Sequence, residues 1–379
     1  MHKQWMAILF VGILLFGNVF LIIPVSASVG VSAKSAILME ADSGSVLYEK
    51  DADTRRGMAS TTKIMTALLA IESGRMSEKI IVDARAVGVE GSSIYLYCGE
   101  TITLENLVYA LLLSSANDAA EAIAYALCGS VEAFADAMNE KASSLGLWNT
   151  HFQNPHGLTA DGHFTTARDL AKLTVYALQN ETFLQIVSTY RKTIPLESKS
   201  TYRLLLNHNK LLLRYDGAIG VKTGYTKQCG RCLVSAAQRD GVRLVCVTLQ
   251  DPDDWLDHTN LLNYGFSRCR RFTLAPEETL TYSVPVVGGT SETVTVRNHA
   301  PLTGVLTEDS TQLKAVTELD RFYYAPITKG QKLGKTVFYA NGKVIGEAEL
   351  YADADVPQAV RKRTFWEWVH DLLLSAKVL

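Results

Sequence analysis

The stretch "GAIGVKTGYTKQCGRCLVSAAQRDGVRLVCVTLQD", residues 217–251, decides the fold class. Its runs "GAIGVKTGYT", "GRCLVSAAQ" and "RLVCVTLQD" are typical of strands, and the Asp240-Gly241 pair between the last two is a strong hairpin signal. Helical patterns stand on both sides of this stretch along the chain. We therefore predict that helices and β-hairpins share one domain, a mixed α/β fold.

Two of these helical patterns carry signals for their ends. "TTARDLAKLTVYAL" begins with a capping box, in which Thr166 is followed three residues later by Asp169. "DPDDWLDHTNLLNYG" has Asp251 as cap, Pro252 at the first helical position and Gly265 just past the end. We therefore expect one helix to begin after Thr166 and another to begin at Pro252 and to end before Gly265.

Three further segments belong to the same domain. "SAILMEADSGSVLYEK" predicts two short strands joined by a turn at residues 42–44, and "STTKIMTALLAIE" predicts a helix over residues 60–72. "LENLVYALLLSSANDAAEAIAYALCG" is apolar on both sides of "SSAND", which predicts a buried pair of helices with a polar break between them. Polar groups are costly to bury, so this break indicates a functional site.

The C-terminal third of the chain has a different pattern. "ETLTYSVPVVGG", "ETVTVRNHA" and "KTVFYANGKVIGEAEL" alternate with period two, and the last contains an Asn341-Gly342 hairpin signal. No helix-length periodic run interrupts them. We predict one mixed α/β domain over residues 28–274 and a small all-β domain over residues 275–355.

The composition excludes some classes of protein. The 379 residues are 47% hydrophobic and 20% charged, which is an ordinary globular balance, and the formal net charge is -2. We find no basic stripe interleaved with aromatic residues, so we expect no nucleic-acid partner. The "CGRC" at residues 229–232 has no second Cys or His pair at metal-ligand spacing. We expect packing cysteines there, and neither a metal nor a cofactor.

Both ends of the chain indicate export. Residues 1–27 combine Lys3, an apolar run and a small-x-small pattern, which predicts a secretory signal peptide; a retained transmembrane anchor is the alternative. Residues 356–379 place Phe365, Val369 and Leu372 on one helical face behind a basic cluster. This pattern predicts an amphipathic helix on the outer face of the cytoplasmic membrane. The alternative is a terminal helix docked on its own domain.

A serine and a lysine at the start of one predicted helix suggest nucleophilic catalysis. Residues three apart share a helical face, so Lys63 can hydrogen-bond the Ser60 hydroxyl. The lysine can act as a base only if its pKa is lowered, by desolvation and by a second positive charge such as Lys222. In the polar break, Ser115 offers a proton relay and Asn117 offers an amide that can hold both Lys63 and a substrate.

The order "ASTTK", "SAN", "KTG" resembles the serine penicillin-binding proteins and β-lactamases. "GSSIYLYCGETITLENLVYALLLSSANDAA", "NPHGLTADGHFTTARDLA" and "IGVKTGYT" are more closely similar to the low-molecular-mass D-alanyl-D-alanine carboxypeptidases. The resemblance implies a sheet flanked by helices, then a β-sandwich, then a membrane-anchoring helix. It also implies removal of the terminal D-alanine from peptidoglycan pentapeptide stems, with β-lactams as covalent inhibitors.

The resemblance carries the family's site onto matching residues of this chain. They are Ser60 as nucleophile, Lys63 as acylation base, Ser115 and Asn117 as relay and positioning pair, Lys222 and Thr223 as carboxylate-binding groups, Gly224 as the place where the substrate lies against the strand, and Tyr225 with Ser60 as oxyanion-hole donors. For His156 and His163, in the loop "NPHGLTADGH", we expect a loop-shaping role.

Three alternatives remain beside the carboxypeptidase. A D,D-endopeptidase that cuts cross-links needs the same residues. A β-lactamase of class A needs a glutamate for deacylation, and residues 149–168 contain none. An inactive, membrane-held peptidoglycan-binding protein has no use for a lysine of lowered pKa beside a serine.

Overall fold

The computed structural model describes residues 29–196, 201–308, 310–360, 365, 366, 369 and 370. The described residues from Val31 onward form one compact unit. The predicted signal peptide, and most of the predicted C-terminal helix, lie outside the described residues.

The secondary-structure elements follow one another along the chain with these bounds. The α-helices are α1 Lys63–Glu72, α2 Leu104–Leu113, α3 Asn117–Cys128, α4 Val131–Ser144, α5 Ala167–Ala177, α6 Glu181–Ser188, α7 Leu211–Arg214 and α8 Asp254–Arg268. The strands are β1 Ser35–Glu40, β2 Val46–Lys50, β3 Lys79–Ile81, β4 Thr101–Thr103, β5 Arg191–Leu196, β6 Thr201–Leu206, β7 Ala218–Thr226, β8 Gly230–Arg239, β9 Val242–Leu249, β10 Cys269–Ala275, β11 Thr281–Val287, β12 Thr293–Arg297, β13 Leu302–Thr307, β14 Leu313–Leu319, β15 Tyr323–Tyr324, β16 Lys332–Ala340 and β17 Lys343–Ala352.

A five-stranded antiparallel sheet of order β2-β1-β9-β8-β7 forms the centre of the N-terminal domain. The predicted hairpin between β8 and β9 turns at Asp240 and Gly241, whose φ angles are 47° and 75°, as a two-residue turn of this kind requires. Because β7 stands at the edge of the sheet, one side of the K-T-G segment has no neighbouring strand among the described residues and can receive a ligand.

Helices cover both faces of this sheet. Ile37 and Met39 of β1, with Val245 of β9, belong to a core shared with α1, α2, α3, α5 and α6. The alternate residues Leu38 and Leu244 lie on the other face, against α8. The predicted mixed α/β domain, with its sheet flanked by helices, is confirmed.

The predicted limits of α8 were wrong at both ends. The helix begins at Asp254. The Asp251 carboxylate lies before it and accepts hydrogen bonds from the Ser32 hydroxyl and the backbone N–H of Asp253. Gly265 lies inside the helix and not beyond it. A Cβ at Gly265 would stand 2.6 Å from a Leu244 methyl group, so this glycine allows the helix to pack closely on the sheet.

The predicted capping box at α5 is half formed. Thr166 Oγ1 accepts a hydrogen bond from the Asp169 N–H at 3.0 Å, as expected of an N-cap. The Asp169 carboxylate does not return to Thr166. It accepts instead from the Asn149 N–H and the Thr150 hydroxyl, both at 2.9 Å, and so connects the helix start to the loop that follows α4.

The C-terminal domain is all β, as predicted. Its six-stranded sheet has the order β14-β16-β17-β12-β11-β15, and a two-stranded sheet pairs β10 with β13. Asn341 and Gly342 form the predicted hairpin turn between β16 and β17, with φ angles of 49° and 79°. Valines such as Val284, Val294 and Val296 pack with Leu350 into a separate core.

No helix in the described part of the chain is both long and apolar enough to cross a membrane. Of residues 356–379, where we predict the C-terminal helix, residues 356–360, 365, 366, 369 and 370 are described, and the side chains of Phe365 and Trp366 are 68% and 76% exposed.

Candidate active site

Ser60 stands in a single 3-10 turn, residues 59–62, that leads directly into α1. In such a turn the side chains three residues apart eclipse one another, which is the spacing of Ser60 and Lys63. Lys63 Nζ donates to Ser60 Oγ at 2.9 Å. The Ser-x-x-Lys pattern therefore brings its two functional atoms into contact by local geometry alone.

Lys63 is fully buried and is held by neutral acceptors. Its ammonium group donates to Asn117 Oδ1 at 2.7 Å and to the backbone carbonyl of His156 at 2.6 Å, in addition to Ser60. None of these three partners is a carboxylate. The site therefore orients the lysine without giving its charge a counter-ion.

This environment lowers the pKa of Lys63 well below its ordinary value. Burial is the largest cause, the positive charge of Lys222 adds to it, and Asp118 opposes both. Burial likewise lowers the pKa of Lys222 to about 7. The two causes that the sequence predicted for Lys63, desolvation and a second lysine, are both present. A lysine in this state can accept a proton near neutral pH.

Asn117 and Ser115 lie in the polar break between α2 and α3, as predicted. Ser115 has a φ of 58°, so the chain reverses there, and Asn117 then opens α3. Asn117 is buried, and its Nδ2 donates to the carbonyl of Glu90 at 2.5 Å while its Oδ1 accepts from Lys63. The two contacts fix the orientation of the carboxamide, because its oxygen accepts from the lysine while its nitrogen donates to the carbonyl.

A tight loop at residues 154–158 supplies the backbone carbonyls around α1. Asn154 Oδ1 accepts from the N–H groups of His156 and Gly157, at 3.3 and 2.7 Å, which forms the turn. Pro155 offers its carbonyl to the Thr66 hydroxyl at 2.6 Å. A Cβ at Gly157, whose φ is 89°, would stand 1.9 Å from the Ala59 carbonyl oxygen, so only glycine fits there.

The two histidines of this loop shape it, as predicted. His156 Nδ1 accepts from the Leu158 N–H at 3.1 Å, and its Nε2 faces Glu121 at 3.4 Å. His163 Nδ1 accepts from the Gln153 N–H, and its Nε2 lies 2.8 Å from Thr62 Oγ1. Burial is the main cause that lowers the pKa of His163 to about 4.

The K-T-G segment on the edge strand completes the site. Lys222 is 1% exposed, and its Nζ donates to the carbonyl of Thr223 at 2.8 Å. A Cβ at Gly224 would stand 3.0 Å from the Ser60 backbone nitrogen, so the strand and the nucleophile's turn are in close contact. Tyr225 follows with its side chain 65% exposed.

A cavity of about 370 Å³ opens above these groups. Ser60, Ser115, Thr223, Gly224 and Tyr225 line it. Lys63, Asn117 and Lys222 are buried beside it. The structure therefore brings all eight of the predicted site residues together.

The sequence analysis missed several residues of the same cavity. Ser92, Arg231 and Trp255 also line it, and the carbonyl of His156 holds the lysine. Pairing the predicted strands of the first hairpin would have placed Arg231 opposite Tyr225. Nothing in the sequence pattern indicates a role for the backbone of His156. Within the residues that the structure describes, no group of three or more His, Cys, Asp or Glu side chains could hold a metal ion.

The fold and the site together define a class of enzyme. A half-buried serine, a buried lysine of lowered pKa in contact with it, and an open strand edge beside both are the parts of a serine acyl-transfer enzyme whose base is lysine.

Comparison with known proteins gives the family within this class. Residues 24–253 match the family model described as D-alanyl-D-alanine carboxypeptidase, and residues 271–358 match the C-terminal domain of penicillin-binding protein 5. The D-alanyl-D-alanine carboxypeptidase DacF of Bacillus subtilis is 34% identical over 351 residues, which cover 89% of this chain and 90% of that protein. The chain belongs to the D-alanyl-D-alanine carboxypeptidase family.

Solved structures agree with this assignment. Penicillin-binding protein 5 of Haemophilus influenzae matches with a TM-score of 0.67 and 27% identity, covering 87% of this chain and 98% of that one. The Streptomyces K15 DD-transpeptidase matches with a TM-score of 0.60 and 34% identity, covering 63% of this chain and 98% of that one. The protein is therefore a serine hydrolase that acts on D-alanyl-D-alanine peptides and binds β-lactams covalently.

Proposed function

We propose that Ser60 is the nucleophile and Lys63 the base of this carboxypeptidase. The supporting observation is the 2.9 Å hydrogen bond between Lys63 Nζ and Ser60 Oγ, made by a lysine whose pKa burial lowers. The neutral amine takes the hydroxyl proton as Ser60 Oγ attacks the carbonyl carbon of the penultimate D-alanine. The carbonyl oxygen becomes an oxyanion, which the backbone N–H groups of Ser60 and Tyr225 stabilise.

Collapse of this intermediate releases the terminal residue. The proton held by Lys63 passes to the nitrogen of the leaving D-alanine, with the Ser115 hydroxyl as relay, and the C–N bond breaks. Ser60 is left as an ester of the shortened peptide. Water then attacks the ester, gives a proton back through the same groups and frees the serine.

The remaining site residues bind and orient the substrate. Asn117 holds Lys63 and has its carboxamide beside the cavity, where it can meet a substrate amide. Gly224 allows the peptide to lie along the open edge of β7. The Thr223 hydroxyl and the charge of Lys222 hold the terminal carboxylate. A β-lactam acylates Ser60 in the same way and leaves slowly, because residues 149–168 offer no glutamate to activate a water.

The chain's ends and domains fit an enzyme that works outside the cytoplasm. We place a signal peptide at residues 1–27, then the catalytic domain up to the end of α8, the β-sandwich from β10 onward, and a membrane-binding helix after residue 360, because Val356 still pairs with Ile327 of the β domain. The exposed rings of Phe365 and Trp366 support a helix with an apolar face that binds the outer face of the cytoplasmic membrane. Sedimentation with anionic liposomes tests this, because a protein truncated after residue 360 should stay in the supernatant.

The catalytic assignment is tested with two reagents on one protein. A fluorescent penicillin should label the enzyme covalently, and a pentapeptide stem should release free D-alanine. Ser60→Ala should abolish both signals, while Ser143→Ala, a change on the surface of α4, should leave both unchanged. Labelling of the Ser60→Ala protein would place the nucleophile elsewhere.

The same assay separates carboxypeptidase from endopeptidase action. A relative named D-alanyl-D-alanine endopeptidase, from Escherichia coli, is 34% identical over 208 residues, 54% of this chain and 66% of that protein. Cross-linked muropeptide dimers should therefore be included as substrate. Cleavage of dimers at a rate equal to D-alanine release would contradict the carboxypeptidase assignment.

A further inference from the structure

A second cavity lies in the C-terminal β domain, where the mechanism above uses no residue. Its volume is about 410 Å³, compared with about 370 Å³ for the active-site cavity, and clefts that bind small ligands have about 300–1,000 Å³. Two segments line it, residues 298–302, which lead from β12 into β13, and residues 347–349 with Tyr351 of β17. The β-domain cavity is therefore large enough to hold a ligand of its own.

Asn298 fixes the first of these segments. Its side chain is buried, and its Nδ2 donates to the carbonyls of Pro276 and Ala300 at 2.8 and 2.9 Å. Its Oδ1 accepts from the Leu280 N–H at 2.9 Å. Because both N–H bonds and the oxygen of this carboxamide are used by the backbone, residues 298–300 are held in one conformation. The wall of the β-domain cavity that they form is present before any ligand arrives.

Two aromatic side chains stand together in the same cavity. His299 stacks on Tyr351, with ring centroids 5.3 Å apart and an angle of 20° between the ring planes. His299 Nε2 also lies 3.5 Å from Asp353 Oδ1, which holds the imidazole at its edge. Pro301 and Leu302 add apolar surface. The C–H groups on one face of a sugar ring are apolar, and a rigid aromatic pair offers them a flat surface to pack on.

The acidic side chains of the cavity are already neutralised by lysines. Glu347 accepts from Lys335 Nζ at 3.0 Å. Glu349 accepts from Lys332 Nζ at 2.5 Å and also from the Tyr351 hydroxyl. Two carboxylates and two ammonium groups add up to no net charge, so this wall does not select for an ion. A carboxylate has about four acceptor positions, and both side chains are close to half exposed, so they can still accept from uncharged donors.

We propose that the β-domain cavity binds the glycan chain of peptidoglycan, an uncharged polymer of amino sugars. A sugar ring packs on the pair of Tyr351 and His299, and its hydroxyl and acetamido groups donate to Glu347 and Glu349. Choosing this polymer rests on the proposed carboxypeptidase function, because the stem peptides are attached to it. The β domain then holds the glycan while the catalytic domain shortens the stems.

The binding test uses glycan strands from which an amidase has removed every stem peptide, so the active site has no substrate in the sample. Isothermal titration calorimetry gives the Kd of these strands for the full chain. Tyr351→Ala should raise this Kd by about tenfold, the order of one lost aromatic contact, while Tyr351→Phe keeps the ring and should bind normally. Glu347→Gln replaces an acceptor oxygen with a donor at nearly constant shape and should weaken binding by about 3- to 10-fold.

Two matched controls lie in the same domain. Tyr324→Ala removes an exposed ring of β15, and Glu318→Gln changes a carboxylate that lies 3.9 Å from the same Lys335. Neither Tyr324 nor Glu318 lines the β-domain cavity, so both variants should bind the strands with the Kd of the unmutated protein. Thermal unfolding of every variant shows which of them are folded, and Glu347→Gln, a change at an exposed position, keeps the test decisive if Tyr351→Ala does not fold.

A kinetic comparison connects the cavity with catalysis. D-alanine release is measured from a soluble pentapeptide and from uncross-linked glycan strands that carry the same pentapeptide. Tyr351→Ala and Glu347→Gln should lower kcat/KM for the glycan-linked substrate and leave the value for the soluble peptide unchanged. Equal losses on both substrates would contradict a glycan site, because the defect would then lie in the catalytic domain.

The outcomes separate this proposal from the proposed function. If the unmutated enzyme releases no D-alanine from the soluble peptide, the carboxypeptidase function fails, and the calorimetry still decides whether the glycan binds. If the stripped strands do not bind, or bind the Tyr351→Ala and Glu347→Gln proteins as well as the parent, the proposal is overturned. Binding of the free pentapeptide, and not of the strands, to enzyme whose active site is blocked by penicillin would also overturn it and would assign the cavity to peptide.

Discussion

Replacing Lys63 with arginine tests the central chemical claim, that a neutral lysine activates Ser60. The side chain at this position is fully buried and meets only a hydroxyl, a carboxamide and a backbone carbonyl. Lysine can lose its proton there, because burial and Lys222 lower its pKa. Arginine keeps its proton at any pH at which the protein is folded. The variant keeps a hydrogen-bond donor at this position, but it fixes a positive charge there that the neutral lysine does not carry, and so it removes the base.

The size of the loss follows from the step that is removed. A positioned general base contributes about 10²- to 10⁴-fold to a rate, which corresponds to about 3 to 5.5 kcal/mol of activation free energy. We therefore expect the rate of acylation by a fluorescent penicillin to fall by at least about 100-fold. The control is Lys141→Arg, a partly buried lysine of α4 that lies 2.9 Å from Glu72, and this variant should acylate at the normal rate.

The pH profile supplies a second readout. In the unmutated enzyme acylation should rise with pH across the lowered pKa of Lys63, because only the deprotonated amine can accept the serine proton. The arginine variant should show no such rise. Thermal unfolding of both proteins confirms that each is folded. Acylation of the Lys63→Arg protein within tenfold of the normal rate would refute the lysine-base mechanism.

Three further changes have defined outcomes. Gly224→Ala should slow penicillin acylation by about tenfold or more, because the new Cβ would stand 3.0 Å from the Ser60 nitrogen that we place in the oxyanion hole. His258→Gln should reduce the loss of stability in acid, measured by urea unfolding at pH 5 and 7. Burial lowers the pKa of His258 to about 3, so between this pKa and about 6.5 only the unfolded chain binds the proton, and stability falls by about 1.4 kcal/mol per pH unit as the pH falls. Lys222→Met should raise the free energy of unfolding at pH 7 by a few kcal/mol while slowing acylation. Burial lowers the pKa of Lys222 to about 7, so the lysine costs the most stability at and below this pH, and the cost is lost as the pH rises to about 10.4; equal stability of variant and parent at pH 7 would contradict this.

The sequence could predict the parts of the fold that depend on local patterns. The hairpin turns at Asp240-Gly241 and Asn341-Gly342 follow from residues that tolerate positive φ angles. The contact between Ser60 and Lys63 follows from their spacing at a helix start. That Lys63 and Lys222 lie close together follows only from the family resemblance, because no local pattern brings together two residues that are 159 positions apart.

What the sequence could not predict depends on packing at long range. Asp251 resembles a helix cap, and its carboxylate accepts from the Asp253 N–H, but it also holds the Ser32 hydroxyl, and α8 begins only at Asp254. Gly265 resembles a helix stop, yet it is the residue that lets α8 approach the sheet. The His156 carbonyl carries no side-chain signal, although it is one of the three partners of Lys63.

The hydrogen bonds of Asp118 explain why the pKa of Lys63 stays low although a carboxylate lies nearby. This buried carboxylate follows Asn117 directly, and among the described residues it is the acidic group that raises the pKa of Lys63. Its oxygens accept hydrogen bonds from the Ser93 hydroxyl and from the N–H groups of Ile94 and Leu96. The Asp118 carboxylate therefore orders the loop beside the cavity and does not form an ion pair with Lys63. A direct ion pair would stabilise the ammonium form of Lys63 and raise its pKa. Without this pair the site contributes less to stability, but Lys63 can act as a base.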